Sequence, residues 1–149
     1  MSFAPIHELL PHRPPMLLLD EVVAFDEESV ECVVTIRESS TFFADGGVPA
    51  WAALEYCAQS IAAYAGLKAR RSGGEPRLGL LVAARELSLN VDVFRAGETL
   101  HVRVRREFGE ERVGRFDCRV TREGCVVATA SLSVYLPVGG SPADSVQPP

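Results

Sequence analysis

Apolar side chains recur at every second position along several stretches of this chain. Val30, Cys32, Val34 and Ile36 fall on one side of "SVECVVTI", with Glu31 and Thr35 on the other. Leu100, Val102 and Val104 alternate with His101, Arg103 and Arg105, and Phe116, Cys118 and Val120 with Arg115, Asp117 and Arg119. A period of two with one wet face predicts antiparallel strands. Strands are expected in "MLLLDEVVAF" and "SVECVVTI", and over residues 77–91, 98–107, 112–121 and 124–136. "RAGE", "FGEER" and "REG" supply the tight connections, and "SGGEP" a linker.

Two segments break this period. "APIHELL" predicts a short helix stopped by Pro11. "VPAWAALEYCAQSIAAYAG", residues 48–66, is small or apolar almost throughout and predicts a long helix. Pro49 stands at its first position and it runs to about Arg71. A helix that is apolar nearly all round is a buried one. The order helix, two strands, long helix, four strands therefore predicts an α+β fold, a curved antiparallel sheet wrapped around one central helix. About 20 helical residues span ~30 Å, more than one sheet covers. Two chains joined edge to edge would also remove an exposed strand edge, so a dimer is expected. Residues 1–137 are expected to form one domain, and 138–149, rich in Pro, Gly and Ser, a disordered tail.

Composition narrows the function. The chain has 149 residues and a formal net charge of −5, which does not suit a general nucleic-acid binder. No apolar run is long enough to span a bilayer, and the N-terminus lacks the pattern of a signal peptide. Cys32, Cys57, Cys118 and Cys125 show no metal-ligand spacing, so reduced thiols in a cytoplasmic protein with no bound metal are expected.

One carboxylate, Glu55, sits in the apolar helix, sharing a face with Trp51 and Gln59 at i, i+4 spacing. An ionised carboxylate among apolar groups must be paired, hydrated or neutral, and such groups concentrate at functional sites. A surface position for this face is the competing reading. Ahead of the helix, Gly46 and Gly47 permit close approach of a ligand to the backbone. The N–H groups of residues 46–48 are the expected donors to a carbonyl oxygen, and Asp45 is an N-cap candidate. Glu55 is thus a catalytic candidate. Asp45, Gly46, Gly47, Val48, Trp51 and Gln59 are the candidates for holding substrate.

"LLPHRPPMLLLDEV" and "LEYCAQSIAAYAG" closely resemble segments of the hotdog-fold 3-hydroxyacyl-ACP dehydratases. Glu55 and Gln59 match the Glu-x-x-x-Gln on that family's central helix. "FRAGETLHVRVRRE" and "GRFDCRVTREGCVVATASLSV" resemble its later turn and last hairpin. The likeness covers roughly residues 6–136 and is nearest to the branch found with aryl-polyene biosynthesis. It implies a hotdog dimer that takes acyl chains on the phosphopantetheine arm of an acyl carrier protein, without metal or redox cofactor. In that family a loop histidine removes the α-proton, and the helix acid of the other subunit assists at the β-hydroxyl. Here the loop is "FFADGGVPA", which holds no histidine.

The chain has three histidines. His101 shares the Arg103/Arg105 face and His7 lies on the short helix, so both are expected in solvent. His12 is either a structural residue of the turn or the base that replaces the missing one. Arg13 is expected to pair with Asp20 or Glu21, and Cys57 to be a core residue. "LKARR" and the arginines at 103, 105 and 106 are ordinary surface charge or a landing site for an acidic carrier protein. Three functions fit: a dehydratase; a thioesterase on the same fold; or an incomplete subunit that pairs, as a heterodimer in place of a homodimer, with a histidine-bearing relative.

Overall fold

The computed structural model describes residues 2–73, 80–109 and 113–135. The expected linker beyond Gly73, the last three residues of "FGEER" and the tail from 138 lie outside the described residues. In chain order the elements are α1 (Ile6–Leu9), β1 (Glu21–Phe25), β2 (Ser29–Thr35), β3 (Gly47–Pro49), a 3₁₀ turn (Ala50–Ala52), α2 (Ala53–Arg71), β4 (Leu80–Leu89), β5 (Val93–Arg95), β6 (Thr99–Gly109), β7 (Val113–Arg122) and β8 (Cys125–Tyr135). Six strands form one sheet in the order β1-β2-β6-β7-β8-β4, every pair antiparallel, and β3 pairs with β5 apart from it.

The strand alternation decides what meets the helix. Val30, Cys32, Val34, Leu100, Val102, Val104, Phe116, Cys118 and Val120 all turn inward and are buried. They close on Tyr56, Cys57, Ile61 and Tyr64 of α2. This is the expected sheet wrapped on one long helix. The helix is not buried all round, however. Leu54, Glu55, Ala58, Ala62 and Ala65 remain half-buried, and Trp51 is exposed.

α1 lies against α2 where Gly66 admits it. A Cβ at Gly66 would stand 2.5 Å from the Leu9 carbonyl oxygen. Arg13 does not pair with Asp20 or Glu21, as was expected. Its Nη1 donates to the carbonyl oxygens of His7, Leu10 and His12 at 3.1, 3.0 and 2.8 Å, gathering up the end of α1. Asp20 instead accepts from the Thr35 N–H and from Arg37.

The strand expected from Met16 begins only at Glu21. The Met16 and Leu17 amides turn back to the Arg13 carbonyl, and the Leu18 amide goes to the side chain of Gln59. The sheet therefore receives the chain late. β3 and β5 were not expected at all. Three residues each, they are too short to show a period, and β3 carries a glycine and a proline.

Candidate active site

Three segments converge at the first turns of α2. The helix supplies Glu55 and Gln59, and the 3₁₀ turn ahead of it Trp51; the turn after α1 supplies His12; residues 15–18 cross above Gln59. Gln59 is fully buried. Its Oε1 accepts from the Leu18 N–H at 2.9 Å, and its Nε2 donates to the Met16 carbonyl at 2.7 Å and to Glu55 Oε1 at 3.0 Å. Both N–H groups of the amide are thus committed within the chain. Gln59 holds the carboxylate and the crossing strand of backbone in place.

Glu55 is neither sealed in the core nor loose on the surface. Its side chain is 39 % exposed and that of His12 27 %, and His12 Nε2 stands 4.0 Å from Glu55 Oε1. That separation is too long for a direct hydrogen bond. It does let one oxygen atom sit about 2.8 Å from both groups, at the apex of a triangle on the pair. The other ring nitrogen, His12 Nδ1, is buried and has no hydrogen-bond partner among the described residues. Apolar groups border the opening. Trp51 is 54 % exposed and meets Phe42 edge-on, ring centroids 5.1 Å apart, and Met16 is exposed as well.

The loop ahead of the helix differs from the expectation. β3 lies between Asp45 and the helix, so Asp45 does not cap it; Pro49 and Ala52 occupy the cap positions, without a side-chain cap bond. Gly47 donates to the Ala44 carbonyl, and Val48 stands opposite Phe94 of β5. The Ala96–Gly46 and Ala50–Asp92 bonds on either side fix an alternation in which Val48–Phe94 is also a bonded pair. Gly47 and Val48 therefore give their N–H groups to the fold and not to a ligand. The close approach that Gly47 permits is to β5: a Cβ there would lie 2.5 Å from the Phe94 carbonyl. The first helical amide open for a ligand is one turn on, at Trp51, since the Ala52 N–H closes the 3₁₀ turn onto the Pro49 carbonyl.

His101 lies in solvent, Nδ1 at 3.1 Å from Glu31, and His7 is exposed beside Glu8. Cys32, Cys57 and Cys118 are buried and Cys125 is exposed, all unpaired. A hydrogen bond with Cys57, and burial, push the Cys118 thiol well above its ordinary range. A cavity of about 320 Å³ lies beside the crossing segment, lined by Pro14, Leu17, Arg37, Ser40, Thr41 and Tyr56 among others. Neither His12 nor Glu55 lines it. Burial, with the Asp20 carboxylate, pushes the Tyr56 phenol up to about 12. Among the described residues no group of three or more His, Cys, Asp or Glu side chains could hold a metal ion, and no helix is long and apolar enough to cross a membrane.

Comparison with known proteins places this geometry. The family model for ApeP-like proteins, described as ApeP dehydratase, matches residues 4–146. A chain of the dehydratase heterocomplex ApeI:P from Xenorhabdus doucetiae is similar in structure, with a TM-score of 0.88 and 26 % identity over 99 % of this chain and 100 % of that one. The smu.793 protein of Streptococcus mutans UA159, bound to acetyl CoA, has a TM-score of 0.63 and 17 % identity over 86 % of this chain and 95 % of its own. A hypothetical thioesterase from Streptococcus pneumoniae TIGR4, with coenzyme A, has a TM-score of 0.60 and 14 % identity over 78 % and 84 %. The last two likenesses concern the fold, which is the hotdog fold. No curated protein sequence matches the chain.

Proposed function

This chain belongs to the ApeP-like dehydratase family, and we propose that it removes water from a 3-hydroxyacyl thioester carried on an acyl carrier protein, giving the trans-2-enoyl thioester. The setting would be fatty-acid or aryl-polyene biosynthesis. One observation carries the reading: a hydrogen-bonded carboxylate, Glu55, faces an imidazole edge at 4.0 Å in an opening bordered by apolar groups. A β-hydroxyl oxygen fits between the two. Glu55 is the acid–base residue, and Gln59 fixes the oxygen that faces the substrate. The amide of Trp51, at the positive end of the helix dipole, polarises the thioester carbonyl. Trp51, Phe42 and Met16 shield the acyl thioester from water.

We further propose that the working unit contains two hotdog subunits. The similar structure from Xenorhabdus doucetiae is a heterocomplex. In this chain, β4 forms an edge of the sheet with Leu87 and Leu89 exposed. An edge of that kind favours pairing with another strand. A histidine-bearing hotdog subunit would then add its own loop to the Glu55 site, which is the second reading.

The test is to incubate the full chain, alone and with such a subunit, with 3-hydroxyacyl chains on an acyl carrier protein and to weigh the carrier-bound product. Loss of one water from the bound chain supports dehydration. Release of free acid would mean a thioesterase. An unchanged substrate in both arms would remove the lyase assignment.

A further inference from the structure

We infer that His12 serves the reaction as a neutral hydrogen-bond donor through Nε2–H, and that of these two side chains the base is Glu55. The inference rests on the dehydratase reading and assigns the two side chains different tasks.

The reason is the unequal surroundings of the two ring nitrogens. Nε2 faces the open site and the Glu55 carboxylate at 4.0 Å. Nδ1 is buried with no hydrogen-bond partner among the described residues. A neutral imidazole carries its proton on one of them. With the proton on Nδ1, a buried N–H would go unsatisfied, and the bare lone pair of Nε2 would point at a carboxylate. With the proton on Nε2, the N–H points at acceptors and only a lone pair is sealed in. The second arrangement is favoured on both counts. Arg13 fixes the backbone from which the ring projects, holding the His12 carbonyl at 2.8 Å and the Leu10 carbonyl at the end of α1.

A histidine in that tautomer has no lone pair facing the substrate. Taking a proton at Nε2 would also require Nδ1–H, with its acceptor missing. The α-proton therefore goes to Glu55. The carbon–oxygen bond at the β-position breaks as the α–β double bond forms, and Glu55 returns the same proton to the departing oxygen. One water leaves and Glu55 ends ionised, as it began. His12 keeps its proton throughout and donates a hydrogen bond to the oxygen that gains charge. Both steps take place on one face of the substrate, since one carboxylate performs them.

Two measurements test this. In the full chain, within whichever assembly is active, His12 is replaced by Gln, which offers an N–H and cannot act as a base, and by Leu, which offers neither. Turnover of His12→Gln should stay within ~10-fold of wild type, while His12→Leu should fall by the ~10²–10³-fold typical of a lost transition-state donor. A Gln variant as inactive as the Leu variant would overturn the inference. Independently of turnover, the ¹⁵N resonances of the His12 ring report its tautomer. The Nε2-protonated form is expected; an Nδ1-protonated ring would overturn the assignment even if both variants failed to fold. A wild-type assembly that yields no enoyl product would defeat the dehydratase reading instead, with the tautomer still decided by the spectrum.

Discussion

Gln59 shows how one side chain sets up the site. Its amide joins the helix, the crossing backbone and the carboxylate, and it is fully buried. Its position at i, i+4 from Glu55 was legible as a shared helix face. Its task was not, because residues 16 and 18, which it holds, lie more than 40 positions away in sequence. Gln59→Leu should lower turnover by ~10²-fold through a displaced carboxylate. It should also lower the melting temperature, because the Leu18 N–H and Met16 carbonyl lose their partner at ~1–3 kcal/mol each. Steady-state kinetics beside thermal denaturation check both. Two other buried groups bear on pH. Burial pushes the Cys32 thiol from 9.0 up to about 12, and the Tyr56 phenol from 10.0 up to about 12. Both are held neutral in the folded chain, whereas the unfolded chain ionises them sooner. Their contribution is whole below pH 9 and is lost as pH rises towards 12. Each group can steepen the loss by up to ~1.4 kcal/mol per pH unit inside its window. Urea denaturation across that range should show the fall, and Tyr56→Phe should flatten its part above pH 10.

Among the elements, the long helix and the strands of the main sheet were written plainly in the sequence, since each buries one face against the other and keeps its period. β3 and β5 were not. Pairing between Gly47–Pro49 and Val93–Arg95 depends on the close approach of two distant loops, which no local pattern encodes. That omission hid that the Gly47 and Val48 N–H groups serve the fold, and that β3 separates Asp45 from the helix start. The crossing of α1 over α2 is equally silent in the sequence, yet it sets the position of His12. Gly66 is where the two meet, with 2.5 Å between a would-be Cβ and the Leu9 carbonyl oxygen. Gly66→Ala must push α1 away. It should lower stability by ~1–3 kcal/mol, the range typical of overpacking, although alanine is the better helix former. It should also lower turnover by shifting His12 from Glu55. A stabilised variant with unchanged turnover would show that this contact does not fix the site.

At the scale of the molecule, the sheet has one edge at β4, where Leu87 and Leu89 face solvent within a strand of ten residues. The strip of small residues along α2 is half-open too, so the helix reads as buried in sequence but is only partly covered by its own sheet. Both features are what a chain made for a partner subunit would present, and neither says from sequence whether the partner is a copy or a relative. Leu87→Lys places a charge on the edge and should shift the assembly towards monomer in analytical ultracentrifugation. An unchanged sedimentation coefficient would move the interface elsewhere.

The most direct measurement is turnover of a carrier-bound 3-hydroxyacyl chain by the wild-type assembly and by the same assembly carrying Glu55→Gln. The variant keeps the size of the side chain and removes its acid–base capacity. Turnover should fall by ~10²–10⁴-fold, the usual cost of losing general acid–base catalysis, with the melting temperature and assembly unchanged. Enoyl product formed by a folded Glu55→Gln assembly at the wild-type rate would contradict the central role given to this carboxylate.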